Sequence, residues 1–260
     1  MYGNKGAVFR PRGTFGGPFT MAWYTEWFGT RYYKLLYGHR DEGDARAWAE
    51  AILGRAGLEA GAELLDMGCG RGRHARWFVA AGLKVTGIDL STESINDARS
   101  ACPGADFAVH DMRRIFARDR FDAVVCLFTS LGYSADRGDD QRAVETATAA
   151  LKHGGLFVHD LLNGATVRKE LVVEDCQIES EVRFTLQRRV DGDTIIKDIH
   201  VDDQGCSHRF TERVHAWTAE EVTAMISKAG LTIEAVTDGP EPRPFDPATS
   251  DRIVVWARKP

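Results

Sequence analysis

A glycine-rich run between an apolar segment and a predicted helix is the first candidate site. It starts at Asp66 and has Gly68, Gly70 and Gly72 at alternate positions. Glycines allow a sharp turn and a close ligand approach, and the first turn of a helix favours an anionic group. The dinucleotide fingerprint G-x-G-x-x-G fails, because Arg73 replaces its third glycine. Asp66 would repel a pyrophosphate and suits a cationic amino group; a purely structural turn is the alternative.

Further candidate residues stand where the neighbouring predicted strands end. Asp89 ends the second strand, where an acid accepts hydrogen bonds from a ribose diol in doubly wound folds. Asp111 and Met112 follow the third strand, where a carboxylate can accept from an adenine amine, and Phe128 lies at the end of the fourth. Ligands in open α/β sheets bind outside the carboxyl ends of strands. We therefore expect these residues to meet the glycine run in one crevice.

Strand and helix patterns alternate around these residues. Strands are predicted at 63–67, 84–89, 106–110, 121–128, 155–161, 231–237 and 252–257, and helices at 44–56, 72–81, 92–101, 139–151 and 219–229. Strands separated by helices of this length form parallel βαβ units. The fold class is predicted to be α/β, a doubly wound, seven-stranded, mostly parallel sheet with helices on both faces.

The pattern changes to a period of two after the fifth strand. Segments at 182–186, 194–201 and 207–217 predict a three-stranded antiparallel insertion, with a turn at Asp191-Gly192. We expect a flexible segment at 1–20, a helical cap at 21–57, a ligand-binding α/β domain at 58–163 and 218–260, and the insertion at 164–217. The insertion either covers a second ligand or contacts another subunit, which would make a homodimer.

Composition excludes several functional classes. The 260 residues carry 33 Lys and Arg against 38 Asp and Glu, a net charge of −5, so no overall basic field is available to hold nucleic acid. The longest apolar run is too short to span a membrane. The five cysteines form no C-x-x-C pair, and no residue cluster has metal-ligand spacing. We expect a cytoplasmic protein without a metal.

The chain from Trp23 onward resembles class I S-adenosylmethionine-dependent methyltransferases. The segment from Leu65 to Gly72 carries the superfamily signature, and residues 122–132 and 151–155 match further motifs in order and spacing. The layout is most similar to deoxyamino-sugar N,N-dimethyltransferases and glycine N-methyltransferases. The resemblance implies S-adenosyl-L-methionine as the cofactor, S-adenosyl-L-homocysteine as its product, and a small-molecule methyl acceptor.

The resemblance also implies the cofactor contacts. The methionine part is assigned to Asp66, Gly68 and Gly70, the ribose to Asp89, and the adenine to Asp111 and Met112, with Leu90 and Phe128 also in the cofactor set. Tyr33 best matches a tyrosine near the methyl group, and Arg40 is a candidate partner for the cofactor's carboxylate. An aromatic face attracts a sulfonium by ~0.5–2 kcal/mol. The alternative for Tyr33 is packing against the core.

Methyl transfer mainly requires that acceptor and carbon be held in line, which can contribute ~7–11 kcal/mol. Tyr133 stands where related sugar methyltransferases carry a histidine. Tyrosine is a poor base at a pKa of ~10, so hydrogen bonding or orientation of the acceptor is the expected role. Asp160 and Asn163, at the end of the fifth strand, are the predicted acceptor-binding residues.

An amine nitrogen is the leading acceptor, and oxygen or carbon acceptors are alternatives within the same chemistry. A nucleotide-binding oxidoreductase is a different class, which Arg73 disfavours. A non-catalytic cofactor-binding protein is a third alternative.

Overall fold

The computed structural model describes residues 23–38 and 42–260. The predicted flexible segment at 1–20 and the predicted cofactor contact Arg40 lie outside these residues. Within the two described ranges, every helix is too short or too polar to cross a lipid bilayer.

The described residues form eleven strands, and seven of them build the central sheet. The strands are β1 (Glu63–Met67), β2 (Lys84–Asp89), β3 (Asp106–Val109), β4 (Phe121–Cys126), β5 (Leu151–Leu162), β6 (Glu174–Glu179), β7 (Val182–Asp191), β8 (Thr194–Asp203), β9 (Cys206–His215), β10 (Thr232–Thr237) and β11 (Arg252–Arg258). The order across the central sheet is β10-β11-β5-β4-β1-β2-β3. β11 pairs antiparallel with both of its neighbours, β10 and β5, and all the other pairs in this sheet are parallel. The predicted α/β class and mostly parallel seven-stranded sheet are confirmed.

Eight helices are found in the same part of the chain. They are α1 (Trp23–Trp27), α2 (Arg31–Leu36), α3 (Glu42–Ala56), α4 (Ala75–Ala80), α5 (Thr92–Ala101), α6 (Arg137–Ala150), α7 (Gly164–Lys169) and α8 (Ala219–Lys228). Side chains of α3, α4 and α5, such as Trp48, Phe78 and Ile95, pack on one face of the sheet. Side chains of α6 and α8, such as Val144 and Val222, pack on the other. The parallel strands thus end at one edge between two helical layers.

Two predicted boundaries next to this edge are wrong for backbone reasons. The helix predicted from residue 72 begins only at Ala75, because Gly72 has a φ of +73°, which an α-helix does not accommodate. The strand predicted to reach residue 128 ends at Cys126. Beyond it, Phe128 and Thr129 have φ values of +57° and +59°, a strained left-handed pair.

The insertion after β5 is larger than predicted. It contains the short helix α7 and a four-stranded antiparallel sheet in the order β6-β7-β8-β9, instead of three strands. The unpredicted strand β6 has the sequence EDCQIE, whose acids obscure the alternation. Charged residues are typical of edge strands, where they discourage pairing with other chains.

The N-terminal helices α1 and α2 pack against this second sheet. Trp27 and Leu36 share an apolar core with Phe184 and Ile199 of the insertion. Glu212 of β9 accepts hydrogen bonds from Trp27 Nε1 at 2.6 Å and from the Tyr37 hydroxyl at 2.7 Å. The insertion therefore holds the N-terminal helices in place beside the sheet edge.

Candidate active site

A cavity of about 420 Å³ lies at the carboxyl edge of the central sheet. Its walls are the glycine turn after β1, the ends of β2 to β4 and the helices α1 and α2. Ten of the predicted site residues line it: Tyr33, Asp66, Gly68, Gly70, Asp89, Leu90, Asp111, Met112, Phe128 and Tyr133. The fold thus brings together residues that are spread over 100 positions of the sequence.

The glycine turn is shaped by close backbone approach. Gly68 has a φ of +74°, and a Cβ at this position would lie 2.7 Å from Ser130 Oγ on the facing loop. The Gly68 N–H donates to the Ile88 carbonyl at 2.8 Å, which ties the turn to β2. A side chain at Gly68 would therefore both strain the turn and close the cavity.

Asp66 presents an uncompensated carboxylate at the floor of the cavity. It is 1% exposed, and its Oδ2 has no hydrogen-bond partner among the described residues. Burial, together with the nearby charge of Asp89, raises the pKa of Asp66 to about 7, although Arg73 opposes the shift. A buried acid without a partner is stabilised by a cation, so the site fits a ligand with a cationic amino group.

Asp89 is held at the end of β2 by backbone donors. Its carboxylate accepts hydrogen bonds from the Gly70 N–H at 3.0 Å and the Ser91 N–H at 2.8 Å. Burial raises the pKa of Asp89, and these backbone donors oppose the rise. Each carboxylate oxygen has two lone pairs, so Asp89 can still accept from a diol.

The Asp111 carboxylate already has a partner within the protein. Arg113 forms a fork with it, with Nη2 at 2.7 Å from Oδ2 and Nε at 2.9 Å from Oδ1. Burial raises the pKa of Asp111, but the hydrogen bonds from Arg113 outweigh burial, and the pKa is lowered overall. Arg113 also reaches Asp139 at 2.8 Å, so it links the end of β3 to the start of α6.

Aromatic rings form the wall of the cavity opposite the glycine turn. Phe28 lies 5.0 Å from Tyr33 and 5.2 Å from Tyr133, measured between ring centroids. Tyr24 lies 6.1 Å from Tyr133, and both line the cavity. Such rings attract cations and keep water out, which is the surface expected beside a positively charged reaction centre.

The Tyr133 hydroxyl is committed to a hydrogen bond. It donates to the carbonyl of Thr129, within the strained turn after β4. A phenol that donates a hydrogen bond to a backbone carbonyl keeps its proton, so it does not act as a base. This contact fits an orienting role, and the predicted role of Tyr133 toward an acceptor stays a prediction.

The structure does not bring Asp160 and Asn163 to the cavity, which corrects the expectation that they bind the acceptor. Asp160 is fully buried, pairs with Arg252 at 2.5 Å and accepts from the Phe128 N–H at 2.8 Å. Asn163 caps α7 through the Ala165 N–H and donates to the Ser250 carbonyl. The polar groups of both side chains are used in these contacts, which hold the turns at the sheet edge.

Several cavity residues were not assigned from sequence. They are Tyr24, Phe28, Tyr37, Arg71, Arg73, His74, Arg76, Arg113, Ser130, Asp139 and Asp140. Burial and the charges of Arg73 and Arg252 lower the pKa of His74 to about 3, so its imidazole is neutral. Arg71 lies within the glycine turn, and Arg73 and Arg76 follow it; this spacing was a usable signal for an anionic group.

Comparisons with known proteins agree with this geometry. Residues 64–155 match a family model described as a methyltransferase domain. A dTDP-3-amino-3,4,6-trideoxy-alpha-D-glucopyranose N,N-dimethyltransferase of Streptomyces venezuelae is 28% identical, over 81% of this chain and 93% of its own length.

Solved structures share the fold. An S-adenosylmethionine-dependent methyltransferase from Clostridium acetobutylicum superposes with a TM-score of 0.75 at 18% identity, covering 87% of this chain and 95% of that chain. The sugar N-methyltransferase KedS8 from Streptoalloteichus sp. gives a TM-score of 0.72 at 23% identity, covering 98% and 100%.

The family model and the curated relative confirm the resemblance that the motifs predicted. The buried Asp66 and the turn at Gly68 suit a nucleoside with an amino group, which is the chemical character of the cofactor. This chain is a class I S-adenosylmethionine-dependent methyltransferase, and S-adenosylmethionine is its cofactor.

Proposed function

We propose that this enzyme methylates the nitrogen of a small-molecule amine. The observation that carries the proposal is the set of residues that line the cavity described above. One side offers the glycine turn with Asp66 and Asp89, and the other combines the rings of Tyr24 and Phe28 with buried carboxylates. A wall of rings and carboxylates is complementary to an acceptor that arrives as an ammonium ion.

The cofactor contacts are proposed from the positions of the lining residues. Asp66 accepts from the amino group, and Asp89 accepts from the ribose hydroxyls. Met112 and Leu90 lie against the adenine ring. Because the Asp111 carboxylate is held by Arg113, we place the edge of the adenine ring next to this ion pair. S-adenosylmethionine, when bound, supplies a methyl group on a positive sulfur.

The chain's own task is then to orient the acceptor and exclude water. The rings of Tyr33, Phe28 and Tyr133 surround the part of the cavity that faces the glycine turn. They attract positive charge and leave little room for solvent. No described histidine lining the cavity has a pKa near neutrality, because that of His74 is about 3. The described lining therefore offers no imidazole base for a hydroxyl acceptor, whereas an amine needs only to lose its extra proton to become a nucleophile.

The relatives support the same chemistry. Two curated relatives, 28% and 27% identical, are named as N,N-dimethyltransferases of dTDP-linked amino sugars. Among solved structures, KedS8 is titled a sugar N-methyltransferase. An amine on a small sugar-like molecule is therefore the first acceptor class to examine.

We also propose distinct roles for the segments of the chain. Residues 58–163 and 218–260 hold the cofactor, and the helical cap at 21–57 closes the cavity over it. The insertion at 164–217 positions the cap, because Glu212 binds both Trp27 and Tyr37. Tyr37 lines the cavity, so the insertion reaches the acceptor side through the cap.

The test uses the cofactor labelled with ¹³C in its methyl group and a panel of acceptors. The panel contains amino sugars, nucleotide-linked amino sugars, simple amines, phenols and carbon acids. Mass spectrometry with ¹³C NMR assigns the labelled atom. We expect label on amine nitrogen with a kcat/KM at least tenfold above that for any phenol or carbon acid. Label on oxygen or carbon, with none on nitrogen, would overturn the proposal.

A further inference from the structure

Asp140 is an unusual carboxylate in the first turn of α6. It lines the cavity and is 4% exposed. One oxygen, Oδ1, accepts from the Gly132 N–H at 3.1 Å, in the loop that carries Tyr133. The other oxygen, Oδ2, is buried and has no hydrogen-bond partner among the described residues.

The adjacent Asp139 shows the opposite arrangement. Its carboxylate binds Arg113 at 2.8 Å and the Ser134 hydroxyl at 2.6 Å, and it also pairs with Arg142. Its charge is therefore balanced inside the protein. Asp140 forms no comparable ion pair with any described residue, although the two acids are neighbours in the same cavity wall.

A carboxylate in this environment is suited to bind a cationic group of a ligand. Burial raises the pKa of Asp140 to about 6, and the Gly132 N–H opposes this shift. Asp140 is therefore mostly ionised at neutral pH, yet one of its oxygens is unsatisfied. An unpaired buried charge destabilises the protein unless a partner arrives, and because Asp140 lines the cavity, a cation bound there can be that partner.

We propose that Asp140 binds the acceptor as an ammonium ion and takes its proton before methyl transfer. This inference rests on the proposed amine chemistry. One N–H bond breaks, its electron pair stays on nitrogen, and the proton moves to Asp140 Oδ2. The nitrogen pair then forms the bond to the methyl carbon, while the pair of the breaking S–C bond goes to sulfur. The proton leaves Asp140 for water when the product departs.

Other charged and titratable groups around Asp140 influence its protonation. On its own helix these are Asp136, Arg137 and Asp139; from other elements, Tyr24 of α1, Cys126 of β4, and Arg113 after β3 lie close enough to interact electrostatically with this group of acids. Burial raises the pKa values of Tyr24 and Cys126, so both stay protonated at neutral pH. The pKa of Asp139 is lowered and that of Arg113 is raised, mainly by hydrogen bonds that include the one between them, so both groups stay charged near pH 7.

The test compares Asp140→Asn with the wild type across pH 5.5–10 at saturating cofactor. The acceptor is an amine that the wild type methylates and whose own pKa is near 9. Asparagine keeps an oxygen that can accept from the Gly132 N–H, but it holds no charge and takes no proton. The matched control is Glu145→Gln, which removes an exposed acid further along the same helix and outside the cavity.

We expect Asp140→Asn to lower kcat/KM for the amine about 100-fold at pH 7. The variant can use only the neutral amine, which is about 1% of the total two units below its pKa. Activity should recover as the pH rises through 9, the affinity for S-adenosylhomocysteine should change less than threefold, and Glu145→Gln should match the wild type. Such alkaline recovery is not produced by a structural defect.

A loss of activity that is uniform with pH would overturn the inference, as would an unchanged profile. Should Asp140→Asn fail to fold, the wild type is compared on two amines whose pKa values differ by two units. If Asp140 takes the proton, kcat/KM for both amines falls only when the pH drops below 7. Otherwise, the pH below which kcat/KM falls differs between the two amines and matches the pKa of each. If the wild type methylates no amine, both the proposed function and this inference are wrong. If the wild type methylates an amine but Asp140→Asn has no effect on the reaction, only the inference is wrong.

Discussion

The two sides of the cavity are built in different ways. On the proposed cofactor side, Asp66, Gly68 and Asp89 lie within 24 residues, at the ends of the adjacent buried strands β1 and β2. On the proposed acceptor side, Tyr24 comes from the N-terminal helices, Tyr133 from the loop after β4, and Asp140 from the first turn of α6. The cofactor side is part of the sheet itself, whereas the acceptor side is assembled from segments that meet only in the fold.

The contrast shows how one scaffold can keep its cofactor while its acceptor changes. The cofactor side depends on backbone geometry and two acids, which tolerate little variation. The acceptor side depends on helix packing against the insertion, through Glu212 and the core around Phe184. Changes on one side should therefore affect one ligand and spare the other, and the following predictions test that separation.

The largest effect is expected for Asp66→Ala combined with Asp89→Ala. Each removes a charged hydrogen-bond acceptor, worth roughly 1.5–3 kcal/mol, so affinity for S-adenosylhomocysteine should fall at least 100-fold in calorimetry. The control is the pair Asp106→Ala and Asp191→Ala, two exposed acids outside the cavity. If the Asp66→Ala and Asp89→Ala double variant kept its affinity for S-adenosylhomocysteine, the proposal that these two acids bind the cofactor would be wrong.

The second effect concerns the strained turn between the two sides. Asp160→Ala leaves Arg252 without its buried partner and frees the Phe128 N–H. Removing one member of a buried ion pair costs about 3–5 kcal/mol, and this loss should appear in the free energy of unfolding from denaturant titration. Glu50→Ala, which breaks the exposed pair with Arg46, should cost less than about 1 kcal/mol. Equal costs would contradict the structural role of Asp160.

A smaller effect is the pH dependence of cofactor binding. The pKa of Asp66 is about 7 in the free protein, and a cationic amino group requires its ionised form. Affinity for S-adenosylhomocysteine should therefore fall by up to about tenfold per unit as the pH drops below 7, with a proton released on binding. Calorimetry in two buffers of different ionisation enthalpy measures that proton.

The same shift has a consequence for stability. A folded-state pKa above the unfolded value near 3.8 means that the ligand-free protein loses stability as the pH rises from about 4 to 7. Asp66→Asn should thus unfold at a higher temperature than the wild type above pH 7, and at the same temperature near pH 4. A pH-independent affinity or a destabilised Asp66→Asn would show that Asp66 is not the titrating group.

The smallest effect is expected from the insertion. Glu212→Ala removes the hydrogen-bond acceptor of Trp27 and Tyr37. The acceptor KM should rise about tenfold, while the affinity for S-adenosylhomocysteine should change less than threefold. Glu174→Ala, an exposed acid on the same sheet, is the control. An equal loss of cofactor affinity would mean that the two sides are not separable.

The sequence predicted the cofactor side well because its information is local. The strands β1 and β2 and the helix α5 were placed with their observed bounds, since apolar runs and the Ser91 cap mark them directly. The glycine turn and its flanking acids are neighbours in sequence as well as in space. Local spacing was sufficient there.

The acceptor side was harder to predict for a physical reason. Asp160 and Asn163 stand at a strand end, as ligand-binding residues do, but long-range partners at Arg252 and Ser250 consume their side chains. Asp140 differs from Asp139 in its tertiary contacts, because it is Asp139 that meets Arg113, a residue 26 positions away. Tertiary contacts of this kind leave no local periodicity.

A crystal structure with bound S-adenosylhomocysteine would show directly whether this cavity holds the cofactor. We expect the amino group within hydrogen-bond distance of Asp66, the ribose hydroxyls on Asp89, and the sulfur directed toward the rings of Tyr24, Phe28 and Tyr133. A nucleoside bound elsewhere, or one whose sulfur faces away from those rings, would contradict it.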